Sequence, residues 1–137
     1  MAAPNSTSTT NQQSATTDAA LVLIAKYIGL SVNAAGDFPM TLVGPQGRFV
    51  PTTVVTTNAN VTMATATVGI YTAPAQGGTA VLTTAALTGQ TTNAFAYVRA
   101  ATAVAAQVTS SGVLYANVGT AVAGGTVDLF LYGYIVG

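Results

Sequence analysis

The strongest constraint on the fold is an alternation near the C-terminus. Val127, Leu129, Leu131, Gly133 and Ile135 alternate with Asp128, Phe130, Tyr132, Tyr134 and Val136. A period of two belongs to a strand, whose successive side chains leave opposite faces; a helix would scatter both sets around its girth. The first set is apolar and reads as a core face. The second is an aromatic row, an unusual choice for a face that meets only water. An apolar strand face has to be buried under a second layer, so the chain is expected to build a layered β protein.

The rest of the chain follows the same grammar. Thr67 to Ala73, Pro74-Ala-Gln-Gly-Gly78 and Thr79 to Leu82 read as strand, turn and strand. Pro74 cannot donate to a ladder, and Gly77 and Gly78 tolerate positive φ, so the chain turns between the two strands. Further strands are expected over Phe38–Val43, Phe49–Thr57, Val61–Ala73, Thr79–Thr84, Phe95–Val98, Thr102–Thr109 and Val113–Val118. Pro51 implies an edge or a bulge in the second of these. Gly44-Pro45-Gln46-Gly47 and Ser110-Ser-Gly112 read as turns, the latter as the turn of a hairpin. Asp18 to Gly29 stays open between two forms. Asp18 as cap and Gly29 as terminator suit a helix, while alternating apolar residues from Leu21 to Ile28 suit a strand covered on both faces. About eight short strands with Gly, Pro and Asn turns imply an all-β, jelly-roll-like antiparallel β-sandwich. Residues 18–137 form that single domain, and Met1 to Thr17, nearly all Ala, Ser, Thr, Asn and Gln, forms a flexible or extended N-terminal arm.

Charge narrows the function. Only 4% of the 137 residues are charged, and the formal net charge is zero, against roughly a quarter charged in ordinary soluble domains. Without net repulsion between copies, association is favoured. Three basic residues, Lys26, Arg48 and Arg99, are too few to neutralise a run of phosphates, so nucleic acid is not an expected partner. The longest apolar stretch, Leu21 to Leu30, contains Lys26 and is about half a membrane span, so no membrane is expected either.

Chemistry is scarce. The chain has no His and no Cys, and its acids are Asp18, Asp37 and Asp128. Acid–base catalysis needs a titratable group beside the reacting atom, and these three fall at a terminus, a turn and a strand. No catalytic residue, cofactor or metal site is expected, because no Asp/Asn-rich loop offers clustered oxygen ligands and the Gly pairs lack a following Lys and helix. Arg48 and Arg99 are expected to pair with Asp37 or Asp128. Asn60-Val61-Thr62 matches a glycosylation pattern that a Thr-rich chain produces by chance. Thr-rich runs such as Thr52–Thr57 suit a solvent-facing strand and lack the repeat an ice-binding ladder needs. Phe130, Tyr132 and Tyr134, joined by Tyr71 on the face opposite Val68 and Ile70, form the candidate subunit interface; the other reading of the row is cover by a neighbouring element of the same chain.

Several strings carry a resemblance. Val55-Thr-Thr-Asn-Ala-Asn-Val-Thr62, Ala66-Thr-Val-Gly-Ile-Tyr-Thr-Ala73, Gly77-Gly-Thr-Ala-Val-Leu82, Leu114-Tyr-Ala-Asn-Val-Gly-Thr-Ala121 and Thr126-Val-Asp-Leu-Phe-Leu-Tyr-Gly133 together resemble small jelly-roll head decoration, or cement, proteins of tailed bacteriophages. The likeness runs from Gly47 to Gly137 and is one of style and order, with no invariant motif to transfer residue by residue. It implies a non-enzymatic virion protein on the outer surface of the capsid. There a homotrimer would bind the major capsid protein and bridge neighbouring capsomers. The alternative is a tail-fibre, spike or neck component with glycan-binding ability, for which Tyr, Asn and Gln could supply a site.

Overall fold

The computed structural model describes residues 21–43, 48–91, 96–103, 107–109 and 112–136. The arm Met1 to Thr17, the turn Gly44 to Gly47 and the residues Ser110 and Ser111 lie outside them. All regular structure in the described residues is strand: β1 Val22–Ser31, β2 Gly36–Leu42, β3 Arg48–Thr57, β4 Thr67–Ala73, β5 Gly77–Ala86, β6 Tyr97–Ala100, β7 Val108–Thr109, β8 Leu114–Thr120 and β9 Thr126–Ile135.

Every pairing is antiparallel, in the order β5-β4-β8-β2-β1-β9-β3-β6, with β7 beside the start of β3. The chain behaves as one long ribbon folded back on itself. Its hairpin-like pairs are β1·β9, β2·β8, β3·β6 and β4·β5, and rolling the ribbon sets β9 beside β3 and β8 beside β4. Wrapping of this kind is the jelly roll. It yields a first sheet, β1-β9-β3-β6, and a second, β2-β8-β4-β5. The sheets join where β1 meets β2 over only Ala25–Leu42 and Lys26–Thr41. At the far side Thr102 draws the free edges together: its N–H donates to the Val81 carbonyl (2.9 Å), and its hydroxyl accepts from the Thr83 N–H (2.7 Å).

The periodicity of β9 survives intact. Val127, Leu129 and Leu131 are fully buried beside Leu30, Val54, Ile70, Val81 and Leu114. Gly133 continues their face, and a Cβ there would strike the Val50 carbonyl and the backbone of Pro51. Pro51 lies at a bulge against β9, where the register shifts between Pro51 and Thr53; one of its two expected placements is therefore realised, inside the sheet.

The structure decides the open segment and departs from the sequence reading at several other points. The open segment before Gly29 is a strand, but shifts at Leu23/Ala25 and Tyr27/Leu30 break a simple alternation, so adjacent Ile24 and Ala25 are both buried. Gly29 does not end a helix; it takes φ +71 in the second irregularity. Val61 to Ala66 is not strand. It is a connection that plugs one end of the core with Met63 and Ala66, held by Met63 N–H to Gln90 O and Leu87 N–H to Ala66 O at 2.9 Å each. Similarly, Thr102 and Ala103 form a turn, leaving β7 as the described strand of that stretch; because β7 joins β3 and β8 joins β2 and β4, Gly112 links two sheets and not a hairpin.

Truncating Leu129 to Ala, which removes buried methyl groups from the middle of β9, is expected to destabilise the domain by about 2–5 kcal/mol. Urea unfolding followed by tyrosine fluorescence measures it, and a loss below about 1 kcal/mol would contradict a tightly packed β9 face.

Candidate functional site

On the outer face of the first sheet, strand register builds an apolar field around β9. Phe130 stands between Lys26 of β1 and Val55 of β3, and Tyr132 between Leu23 and Thr53. Tyr134 lies beside Val50, and Val98 of β6 lies beside Val55. Flanking side chains on a pleated surface shield one another, so Phe130 and Tyr132 are half-buried. Tyr134 remains 37% exposed and Val98 59%. Among the described residues Lys26 is the charged side chain that register sets beside the row, and exposed Arg48, two residues before Val50 on β3, marks the end of the field near Tyr134. Asp128, at the end of the row, is already engaged: its Oδ1 accepts from the Gly29 N–H at 2.7 Å and its Oδ2 from the Asn58 side-chain Nδ2 at 3.2 Å.

Tyr71 is not part of this surface. It sits on β4 in the second sheet and is only 5% exposed. Gly69 creates the room: a Cβ there would overlap Thr84, which meets the Tyr71 hydroxyl. The Thr84 N–H donates to the Tyr71 hydroxyl (3.0 Å). Since the Thr84 hydroxyl donates to Asn117 Oδ1 (3.0 Å), the 3.1 Å contact between the two hydroxyls is donated by Tyr71.

The network continues across the sheet. Gln76 Nε2 donates to Asn117 Oδ1 (3.0 Å), and Asn117 Nδ2 donates to Asp37 Oδ1 (2.9 Å). Asp37 Oδ2 accepts the Ala75 N–H (2.9 Å). Donors thus run from Tyr71 on β4, through Thr84 on β5 and Asn117 on β8, to a carboxylate on β2. The network also clamps the β4–β5 turn. That turn closes with Gly77 N–H to Pro74 O (3.0 Å), and positive φ falls on Ala75 (56°) and Gln76 (59°), then on Gly78 (68°). Two side-chain-bearing residues in the left-handed region cost about 1–2 kcal/mol each, which the contacts from Asp37 and Asn117 offset.

The pairing expected of Arg99 with Asp37 or Asp128 is replaced by other contacts. Arg99 points inward from β6, donating from Nη1 to the Val68 carbonyl (3.1 Å) and, more weakly, to that of Ala85 (3.5 Å). Its carbon Cζ lies 5.7 Å from the Tyr97 ring centre, while Nε and Nη2 are buried with no hydrogen-bond partner. Desolvation by burial lowers its pKa from the ordinary arginine value, and Tyr97 opposes the shift. The guanidinium therefore serves as a costly internal brace between the sheets. Asn60 acts as a latch at one end of the sandwich, donating to Gly124 O (2.9 Å) and accepting the Thr126 N–H (2.8 Å), so its amide is already engaged.

A groove of about 330 Å³ opens where β1 and β2 part, lined by Lys26, Tyr27, Ile28, Pro39 and Thr41. Among the described residues no group of three or more His, Cys, Asp or Glu comes together as a metal site, and no helix is long and apolar enough to cross a membrane. The β9 row follows from its period; the network of the second sheet does not, since Asp37 and Asn117 become neighbours only through β2–β8 pairing. Comparison with protein-family models, curated proteins and solved structures finds no match.

Two substitutions test these contacts. Tyr71→Phe leaves the Thr84 amide and hydroxyl short of a partner and is expected to cost about 1–3 kcal/mol in urea unfolding. Arg99→Met keeps volume while removing the buried charge and should be neutral or stabilising by up to about 2 kcal/mol. A clear loss in that variant would mean that the bonds to Val68 and Ala85 outweigh desolvation.

Proposed function

We propose that this chain is a non-enzymatic virion structural protein: a capsid decoration, or cement, protein of a tailed bacteriophage. It acts as a homotrimer on the outer surface of the head and bridges neighbouring capsomers of the major capsid protein. The observation that carries this reading is the outer face of β1-β9-β3-β6, an aromatic and aliphatic field in which, among the described residues, Lys26 is the charged side chain beside the β9 row, with Arg48 and Asp128 at its ends. The jelly-roll connectivity and the strings Ala66–Ala73 and Thr126–Gly133, which resemble those of decoration proteins, support it further.

Size is consistent with the role. Three strands about 4.8 Å apart, with β6 at the side, and ten residues rising about 3.3 Å each give a field of roughly 500–600 Å² in projection. Side-chain relief brings its accessible area towards the roughly 800 Å² that each partner contributes to a standard interface. Phe and Tyr suit such a contact because they bring large area at low entropic cost. A face with so little charge binds by removing apolar surface from water, so added salt leaves the contact intact.

Sedimentation of the purified chain at on the order of 0.05 M and 1 M salt is expected to give the same trimeric mass. Phe130→Ser and Tyr132→Ser should each weaken association about tenfold or more without unfolding the domain, since both side chains lie outside the core. A monomer at both salt concentrations, or full association by both variants, would remove the β9 row from the function.

A further inference from the structure

The outer face of the second sheet carries a different kind of surface, and its chemistry stands apart from the capsid reading. Asp37 pairs with Asn117, and Pro39 with Tyr115, so Asp37 and Tyr115 are diagonal neighbours, about 7–8 Å apart. Tyr115 is half-buried between exposed Pro39 on one side and Tyr71 on the other. No described residue takes up its hydroxyl. Gln76 is exposed at the end of the clamped turn.

The hydrogen-bond capacity of these groups is only partly used. Asp37 accepts two bonds, from Asn117 and Ala75, whereas an ionised carboxylate offers about four lone-pair sites. Gln76, an exposed residue, donates one N–H to Asn117, and no described residue takes up its other N–H or its carbonyl. The same contacts hold both side chains in place, so a ligand meets them already ordered. An apolar ring, a carboxylate, an amide and a hydroxyl therefore share one small, rigid patch.

We propose that this patch, formed by Asp37, Gln76, Tyr115 and Pro39, binds a neutral saccharide. A sugar ring presents an apolar C–H face and a rim of adjacent hydroxyls. Tyr115 and Pro39 match the face, while Asp37 and Gln76 accept from and donate to the rim. Asp37 repels anionic ligands, and a single carboxylate is too poor a donor set for a cation. The strained turn supports this use, because backbone strain persists where the surrounding contacts over-determine it and hold a site ready.

The test begins with the full chain on an array of neutral, sialylated and sulfated oligosaccharides. The best neutral binder is then titrated as free sugar by NMR into wild type, Tyr115→Ala, Gln76→Ala and Thr62→Ala. Tyr115→Ala should weaken binding about tenfold or more and Gln76→Ala about threefold or more. Thr62→Ala, on the exposed β3–β4 connection, should leave it unchanged. Gln76 lies outside the core, so its variant stays informative if Tyr115→Ala unfolds. Absence of any neutral binder, preference for anionic glycans, or binding indifferent to both Tyr115→Ala and Gln76→Ala would overturn the proposal.

Discussion

The structure depends on β9 being bonded along both edges. The strand nearest the C-terminus lies between β1 and β3 and supplies the middle of the first sheet. The ribbon cannot be rolled until nearly the whole chain is present, since β1·β9 joins residues such as Val22 and Gly133. Loop closure over that distance precedes the reward from pairing, so folding should be slow for a domain of this size. The same placement explains the composition of β9. Its inner residues fill the centre of the core, and its outer residues hold the centre of a broad apolar face.

Scarcity of charge shapes everything else. With so few ionisable groups, the fold uses them as hydrogen-bonding pieces. Asp128 ties β1 to the β3–β4 connection, Asp37 anchors the β4–β5 turn, and Arg99 braces β6 against the second sheet. Each is placed where a neutral amide could do similar work, which fits a chain whose surface relies on Thr, Asn and Gln.

Much of this was legible in the sequence, for a physical reason. A period of two is a local property, so β9, β4 and β5 could be read from their own residues, and Pro51 signalled its bulge. Non-local facts could not be read in that way. Tyr71 alternates correctly with Val68 and Ile70, yet it is buried, because Gly69 leaves room for Thr84 of another strand to meet its hydroxyl. Val61 to Ala66 has strand-like composition but lacks a partner strand, and Met63 is worth more as a plug. The arrangement of Asp37, Asn117, Gln76 and Tyr115 depends on which strands pair, information that no short window of sequence contains.

The central claim is that one strand has two tasks, its inner face holding the jelly roll together and its outer face joining copies on a capsid. A cryo-electron microscopy map of the particle tests it most directly. The account predicts three copies clustered on the outer shell, with Phe130, Tyr132 and Tyr134 buried between protein surfaces. Copies on the tail, or on the head with the β9 row open to solvent, would contradict it.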